Sequence, residues 1–237
     1  MPGGTSKYHS MTVIKNNFIF IHIPKTAGRS IKNSIGAYAE SGGRGHATLQ
    51  ELAAGIGNYQ EDLPVVCFVR NPYDRLVSAF YYRYYDEKFL YSAEAPESEL
   101  PGGGRGGETI HVSFPARAEE RAKLQRPSIR TFTEFIKDDV RVAAAMKMTF
   151  FRTQHSYISL EGVPRADHIY KFENLENDFS DFKQRFFPHE GHELLHLNKG
   201  PSHPDWRKFF KTKAIRKKIA ELYKVDFETF GYSTEIS

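Results

Sequence analysis

Two short segments hold most of the side chains in this chain that could do chemistry. The first is Ile23-Pro-Lys-Thr-Ala-Gly-Arg-Ser30, with two cations and two hydroxyls around one glycine. Such a group suits an anion, since hydrogen bonds to a charged acceptor are stronger than neutral ones. Lys25 and Arg29 bring charge, Thr26 and Ser30 bring hydroxyls, and Gly28 lets the backbone approach a ligand. The second is Phe68-Val-Arg-Asn-Pro-Tyr-Asp-Arg-Leu-Val-Ser-Ala-Phe80. There Arg70 offers a guanidinium fork and Ser78 a hydroxyl, and both can reach one phosphate. Arg75 is either a substitute for Arg70 or a partner for Asp74.

Both segments follow apolar runs that read as buried strands. Asn17 to Ile23 is β-branched and aromatic and is closed by Pro24; Pro64 to Val69 is the second such run. A helix can begin at Ser30-Ile-Lys-Asn-Ser-Ile35. Another is marked by Asn71 at its N-cap, Pro72 at its first position and Asp74 in its first turn. Leu76, Val77, Phe80 and Tyr84 continue it at helical spacing. Strand, turn and helix in repetition predict an α/β fold: P-loop-like, three-layered, with a central parallel sheet flanked by helices. Ligands of such sheets bind at the carboxyl ends of the strands, where both segments fall.

The remaining periodicity predicts helices over 48–56, 131–148, 174–187 and 213–230, and a strand over 167–172. The whole chain reads as a single domain. Residues 1–12 read as a flexible leader, with Met11 as an alternative start. Residues 86–128, with Pro101-Gly-Gly-Gly-Arg-Gly-Gly107, read as an insertion or mobile loop.

Composition narrows the classes. A net charge of +4 with a pI of about 9.0 is compatible with an anionic ligand. The single cysteine, Cys67, excludes an internal disulfide, and its apolar neighbours read as core. The longest apolar run, Phe18 to Ile23, has six residues, too few for a membrane span. The expected compartment is the cytoplasm if the chain is complete as given, or the Golgi lumen if it lacks an upstream anchor. Ten scattered histidines offer no convincing ligand set, so no metal is expected. Trp206-Arg-Lys-Phe-Phe-Lys-Thr-Lys213 and Arg216-Lys-Lys218 form a basic, partly aromatic stretch. It reads as a surface that steers an anionic polysaccharide, or as a solvated helix face.

A nucleoside-triphosphate loop would read G-x-x-x-x-G-K-[ST]. Here Ile23 replaces the first glycine and Arg29 the lysine, which disfavours a kinase. A non-catalytic nucleotide- or RNA-binding protein is the other rival, although no nucleic-acid module is recognisable and none is expected as a partner.

Taken together and in order, the two segments resemble the sulfotransferases that use 3′-phosphoadenosine 5′-phosphosulfate (PAPS). The likeness is to the carbohydrate-type branch, similar to heparan sulfate 2-O-sulfotransferases and small bacterial sulfotransferases. Gly45-His-Ala-Thr-Leu-Gln-Glu-Leu52, Thr153-Gln154, Phe172-Glu-Asn-Leu175 and Asp226-Phe-Glu-Thr-Phe-Gly-Tyr232 resemble further parts of that family. The resemblance implies that Lys25 stabilises the departing phosphate. It gives the 5′-phosphosulfate to Thr26, Ala27, Gly28, Arg29 and Ser30, and the 3′-phosphate to Arg70 and Ser78. Leu197-Asn-Lys-Gly-Pro-Ser202 resembles a late loop over the nucleotide, so Lys199 and Ser202 join the binding set. His46 matches the base-bearing segment and suits a general base for an alcohol. His155, His196, Glu51 and Glu94 are alternatives, and His22 reads as a satisfied core residue. The expected acceptor bears a hydroxyl and is a carbohydrate, an anionic one if the basic stretch steers it. Nothing in the sequence specifies an oligomeric state.

Overall fold

The computed structural model describes residues 13–14, 18–35, 46–55, 59–83, 128–195 and 205–236. The expected leader, all but the last residue of the expected insertion, Glu94, His196, Lys199 and Ser202 lie outside the described residues.

The strands in chain order are β1 (Val13–Ile14), β2 (Phe18–Ile21), β3 (Val65–Val69), β4 (Ser159–Leu160), β5 (Val163–Pro164) and β6 (His168–Lys171). The main sheet has the order β1-β2-β3-β6, and β4 and β5 pair separately. β2 runs parallel to β3 with Ile19 opposite Val65, and β3 runs parallel to β6 with Val66 opposite His168. Among the described strands of the main sheet, only β1 is antiparallel, and β4 and β5 pair antiparallel with each other. At two residues β1 is too short to carry a readable alternation, so no sequence pattern marks it.

Helices cover both faces. α1 (Gly28–Ser34) and α2 (Leu49–Ala53) lie between β2 and β3, and α3 (Pro72–Arg83) follows β3. α4 (Ile129–Lys137), α5 (Asp139–Met146) and α6 (His155–Ile158) come next. α7 (Leu175–Phe186) follows β6, and α8 (Lys213–Leu222) and α9 (Lys224–Phe230) end the fold. Alternate strand residues serve opposite layers. Phe18, Phe20, Val66 and Phe68 pack with Ile31 of α1 and Phe179 and Phe182 of α7. Ile19, Ile21, Val65, Cys67 and Val69 pack with Leu49 and Leu52 of α2, Tyr157 of α6 and Phe230 of α9. Both faces are thus buried, which is why β2 and β3 read as unbroken apolar runs. Cys67 is a core residue, and burial pushes its thiol up to about 12.

A third cluster joins α3 to α4, α5, α8 and α9. Phe209 and Phe210 are buried within it, and Tyr73 stacks near Trp206 at 6.0 Å. The rings of the basic stretch therefore serve the core, while Arg207, Lys208 and Lys211 stay exposed. Two expected helices are each broken in two. Asp138 is extended (φ −86°, ψ 101°) and accepts from the Arg141 N–H, capping α5. Tyr223 leaves helical geometry between α8 and α9, and its hydroxyl donates to the buried Phe151 carbonyl at 2.7 Å. Among the described residues, no helix is long and apolar enough to cross a membrane.

Candidate active site

The turn after β2 has an unusual backbone. Lys25 (φ 72°) and Ala27 (φ 66°) are both left-handed, although each bears a Cβ. That conformation costs roughly 1–2 kcal/mol per residue. Four consecutive carbonyls of the turn receive side-chain hydrogen bonds. His46 Nδ1 donates to His22 O at 3.1 Å, and Thr26 Oγ1 donates to Ile23 O at 2.8 Å. Arg75 Nε donates to Pro24 O at 3.0 Å, and Arg70 NH1 donates to Lys25 O at 3.1 Å. The first helical bond, from Ile31 N to Ala27 O, begins only after the N–H groups of residues 28–30. A turn whose carbonyls are tied to donors and whose N–H groups precede a helix can accept an anion.

Two expectations about this turn change. Thr26 is 1 % exposed, and its hydroxyl proton goes to Ile23 rather than outward. What it can still offer an anion is the backbone N–H. Gly28 faces the His22 ring: a Cβ there would stand 1.9 Å from His22 Cδ2. The glycine is thus required by packing beneath the turn, whatever approaches from above. Ser30 is buried at the start of α1, and Arg29 beside it is exposed.

The second segment meets the first at Lys25. Arg70 is buried; its Nε donates to Asp74 Oδ2 at 2.7 Å, and its guanidinium lies 4.0 Å from the Phe172 ring centre. The fork expected for a phosphate is therefore partly engaged by Asp74. Asp74 pairs with Arg70 and leaves Arg75 to another task. Arg75 is 1 % exposed and donates to the carbonyls of Pro24, Arg152 and Phe150, so it is a buried strut and not a phosphate ligand. Ser78 is nearly buried one turn beyond Asp74 on the same face of α3. Asn71 caps that helix as expected, with its Oδ1 accepting from the Tyr73 N–H at 3.0 Å.

Supporting residues here went unread in the sequence. Gln154 is fully buried; its Oε1 accepts from Arg70 N and its Nε2 donates to Arg70 O, prolonging β3 with a side chain. Asp226 accepts from the N–H groups of Gln154 and His155. Glu173 accepts from the N–H of Asn71 and from the Tyr232 hydroxyl. The only signal was their place in the family-like segments Thr153-Gln154, Phe172–Leu175 and Asp226–Tyr232.

His46 sits beside the turn. A carbonyl can only accept, so His46 carries its proton on Nδ1, and Nε2 holds the lone pair that a base needs. Burial lowers its pKa from 6.5, and Arg75 and Lys25 push the same way, while the bond to His22 O opposes them. Lys25 is lowered to about 8 by burial and then by Arg70, Arg29 and Arg75. Its ammonium lies 4.2 Å from the Tyr82 ring centre; Tyr82 is 4.8 Å from Phe150, and Phe150 is 5.6 Å from the His46 ring. These two aromatic side chains form a wall from Lys25 to His46. An open cleft of about 400 Å³ is lined by Thr48, Met146, Arg152, Thr153 and Ser156. Thr48 stands two residues from His46, and Arg152 two residues from Phe150.

Two of the alternative bases, Glu51 and His155, are engaged elsewhere. Glu51 closes a capping box on Thr48, and His155 is bonded to Ser159 Oγ at 3.1 Å.

A strand-end anion turn, a second cationic segment drawn against it and a neutral imidazole alongside form the arrangement that a group-transfer enzyme needs for an anionic donor. Of the comparisons with known proteins, those with curated proteins and with solved structures give no match. The sulfotransferase family model matches residues 8–233, and so covers both segments and every strand of the sheet. The chain belongs to the sulfotransferase family.

Proposed function

We propose that the protein transfers the sulfuryl group of PAPS to a hydroxyl of a carbohydrate acceptor. The observation that carries this reading is the inward tying of the carbonyls of residues 22–25, with Lys25 held among Arg29, Arg70 and Arg75. After burial, Lys25 is acted on by the charges of Arg70, Arg29 and Arg75, and an anionic donor relieves that repulsion. The residues present therefore fit the donor. The N–H groups of residues 25–30 and the side chains of Lys25, Arg29 and Ser30 hold its 5′-phosphosulfate, with Arg70 and Ser78 at the 3′-phosphate.

His46 Nε2 takes the proton of the acceptor hydroxyl as its oxygen bonds to sulfur. The sulfur–phosphate oxygen bond breaks, and its electron pair stays on 3′-phosphoadenosine 5′-phosphate. Protonated Lys25 meets the charge that develops on that oxygen. In-line placement and fixed donors supply most of what such a transfer requires, by analogy with phosphoryl transfer. The aromatic wall of Tyr82 and Phe150 and the neighbouring cleft, with Arg152 at its edge, offer a place for the acceptor.

The test is release of 3′-phosphoadenosine 5′-phosphate from PAPS across a panel of neutral and acidic saccharides. His46→Ala should lower turnover by about 10²-fold or more and leave nucleotide affinity nearly unchanged. Turnover close to wild type removes His46 from the base role.

A further inference from the structure

We infer that His22 is a positioning residue that joins the donor turn to the base: its ring supports the turn beneath Gly28 while its carbonyl orients His46. The inference rests on the sulfotransferase reading for the roles of the turn and of His46, and on packing for the link between them.

His22 follows β2 directly and is 4 % exposed. Its ring fills the volume that any side chain at position 28 would occupy, with Cδ2 and Nε2 standing 1.9 Å and 2.2 Å from an added Cβ. Contacts under about 3.0 Å force one partner to move, so a ring at 22 and a glycine at 28 specify each other. The same residue reaches the base twice. Its carbonyl accepts from His46 Nδ1, and the two imidazole rings are 4.4 Å apart at 52°. A shift of the turn therefore carries His46 with it.

The charges around His22 agree with a neutral spacer. His46, Lys32, Arg29 and Lys25 face it from the 46–48 turn, α1 and the donor turn, and all are basic. Burial and then these groups hold it well below 6.5, so it adds no positive charge under the turn. His46 itself is faced by His22, Lys25, the Arg75 guanidinium from α3 and the uncharged Phe150 ring.

Three variants and two readouts test this, with folding checked by thermal melting. Gly28→Ala pushes a methyl into the His22 ring and should weaken 3′-phosphoadenosine 5′-phosphate binding by about tenfold or more. Adding His22→Ala returns the space, and affinity should recover to within about threefold of wild type. Turnover of the double variant should stay low, because His46 keeps the carbonyl of residue 22 but loses the imidazole ring packed 4.4 Å from its own. The second readout needs no nucleotide. In His22→Ala, water enters beside His46, and its imidazole titration followed by NMR should move upward. Where alanine unfolds the protein, His22→Asn replaces it in both roles.

A double variant that binds as weakly as Gly28→Ala alone would overturn the inference, since the glycine would then serve the ligand directly. So would a His46 titration and a turnover that His22→Ala leaves unmoved. Wild type that binds no nucleotide would overturn the sulfotransferase reading instead, and the His46 titration would still decide the link to His22.

Discussion

At the scale of residues, Lys25 and His46 must hold opposite charge states for transfer to occur. His46 accepts a proton only when neutral, so activity rises with pH through its pKa, which burial keeps below 6.5. Lys25 stabilises the leaving group only when charged, so activity falls as pH passes about 8. The profile of kcat/KM against pH, which reports the free enzyme, should be a bell with those limbs. Lys25→Arg should move the basic limb beyond pH ~10 and leave the acidic limb in place. A basic limb unmoved by that substitution would assign it to another group. The types of these residues were legible in the sequence, and so was their place at strand ends. Their contacts were not. Whether Arg70 or Arg75 takes Asp74, and that His22 fills the space under Gly28, depend on packing between segments that periodicity cannot see. Three carbonyls from two distant stretches claim Arg75, and no local pattern encodes that.

At the scale of elements, the donor turn is held in its strained shape by struts from neighbouring elements. Arg75 of α3 ties Pro24 to Arg152 and Phe150, and Gln154 ties the end of β3 to α6. Arg75→Met keeps the length of the side chain and removes all three bonds. Buried acceptors that lose a partner cost about 1–3 kcal/mol each, and linked losses do not add fully. Urea unfolding should show a loss of about 2–4 kcal/mol, with weaker nucleotide binding because Pro24 is released. Stability within about 0.5 kcal/mol of wild type would mean the strut is dispensable. β2, β3 and α3 were read closely from sequence because an apolar run, an N-cap and a proline agree there. The broken helices were not. Asp138 and Tyr223 interrupt patterns whose periodicity carries across the break, and the cap of one and the buried hydroxyl of the other decide it.

For the whole molecule, three packed clusters set the donor turn, α3 and the 46–48 turn around one sheet edge. A ligand that binds only this folded arrangement must stabilise it by mass action. At about 100 times its Kd, 3′-phosphoadenosine 5′-phosphate should add about 2.7 kcal/mol and raise Tm by roughly 5–10 °C. The melting curve with and without nucleotide checks this, and a Tm that does not move at saturation would count against the site. The layered α/β fold could be read from the order of strands and helices, because each apolar run is covered on both faces. Where the rings of residues 206–210 go was not legible, since a ring on a basic stretch looks alike whether it faces solvent or Tyr73.

The central claim is a site that distinguishes a bisphosphate nucleotide from a monophosphate one. Isothermal titration of wild type and Ser78→Ala with 3′-phosphoadenosine 5′-phosphate and with 5′-AMP tests it most directly. Ser78→Ala removes one hydroxyl and leaves Arg70, Asp74 and the turn untouched. The account predicts tight binding of the bisphosphate, weak binding of 5′-AMP and a reduced preference in the variant. No binding, or equal affinity for both nucleotides in wild type, would contradict it.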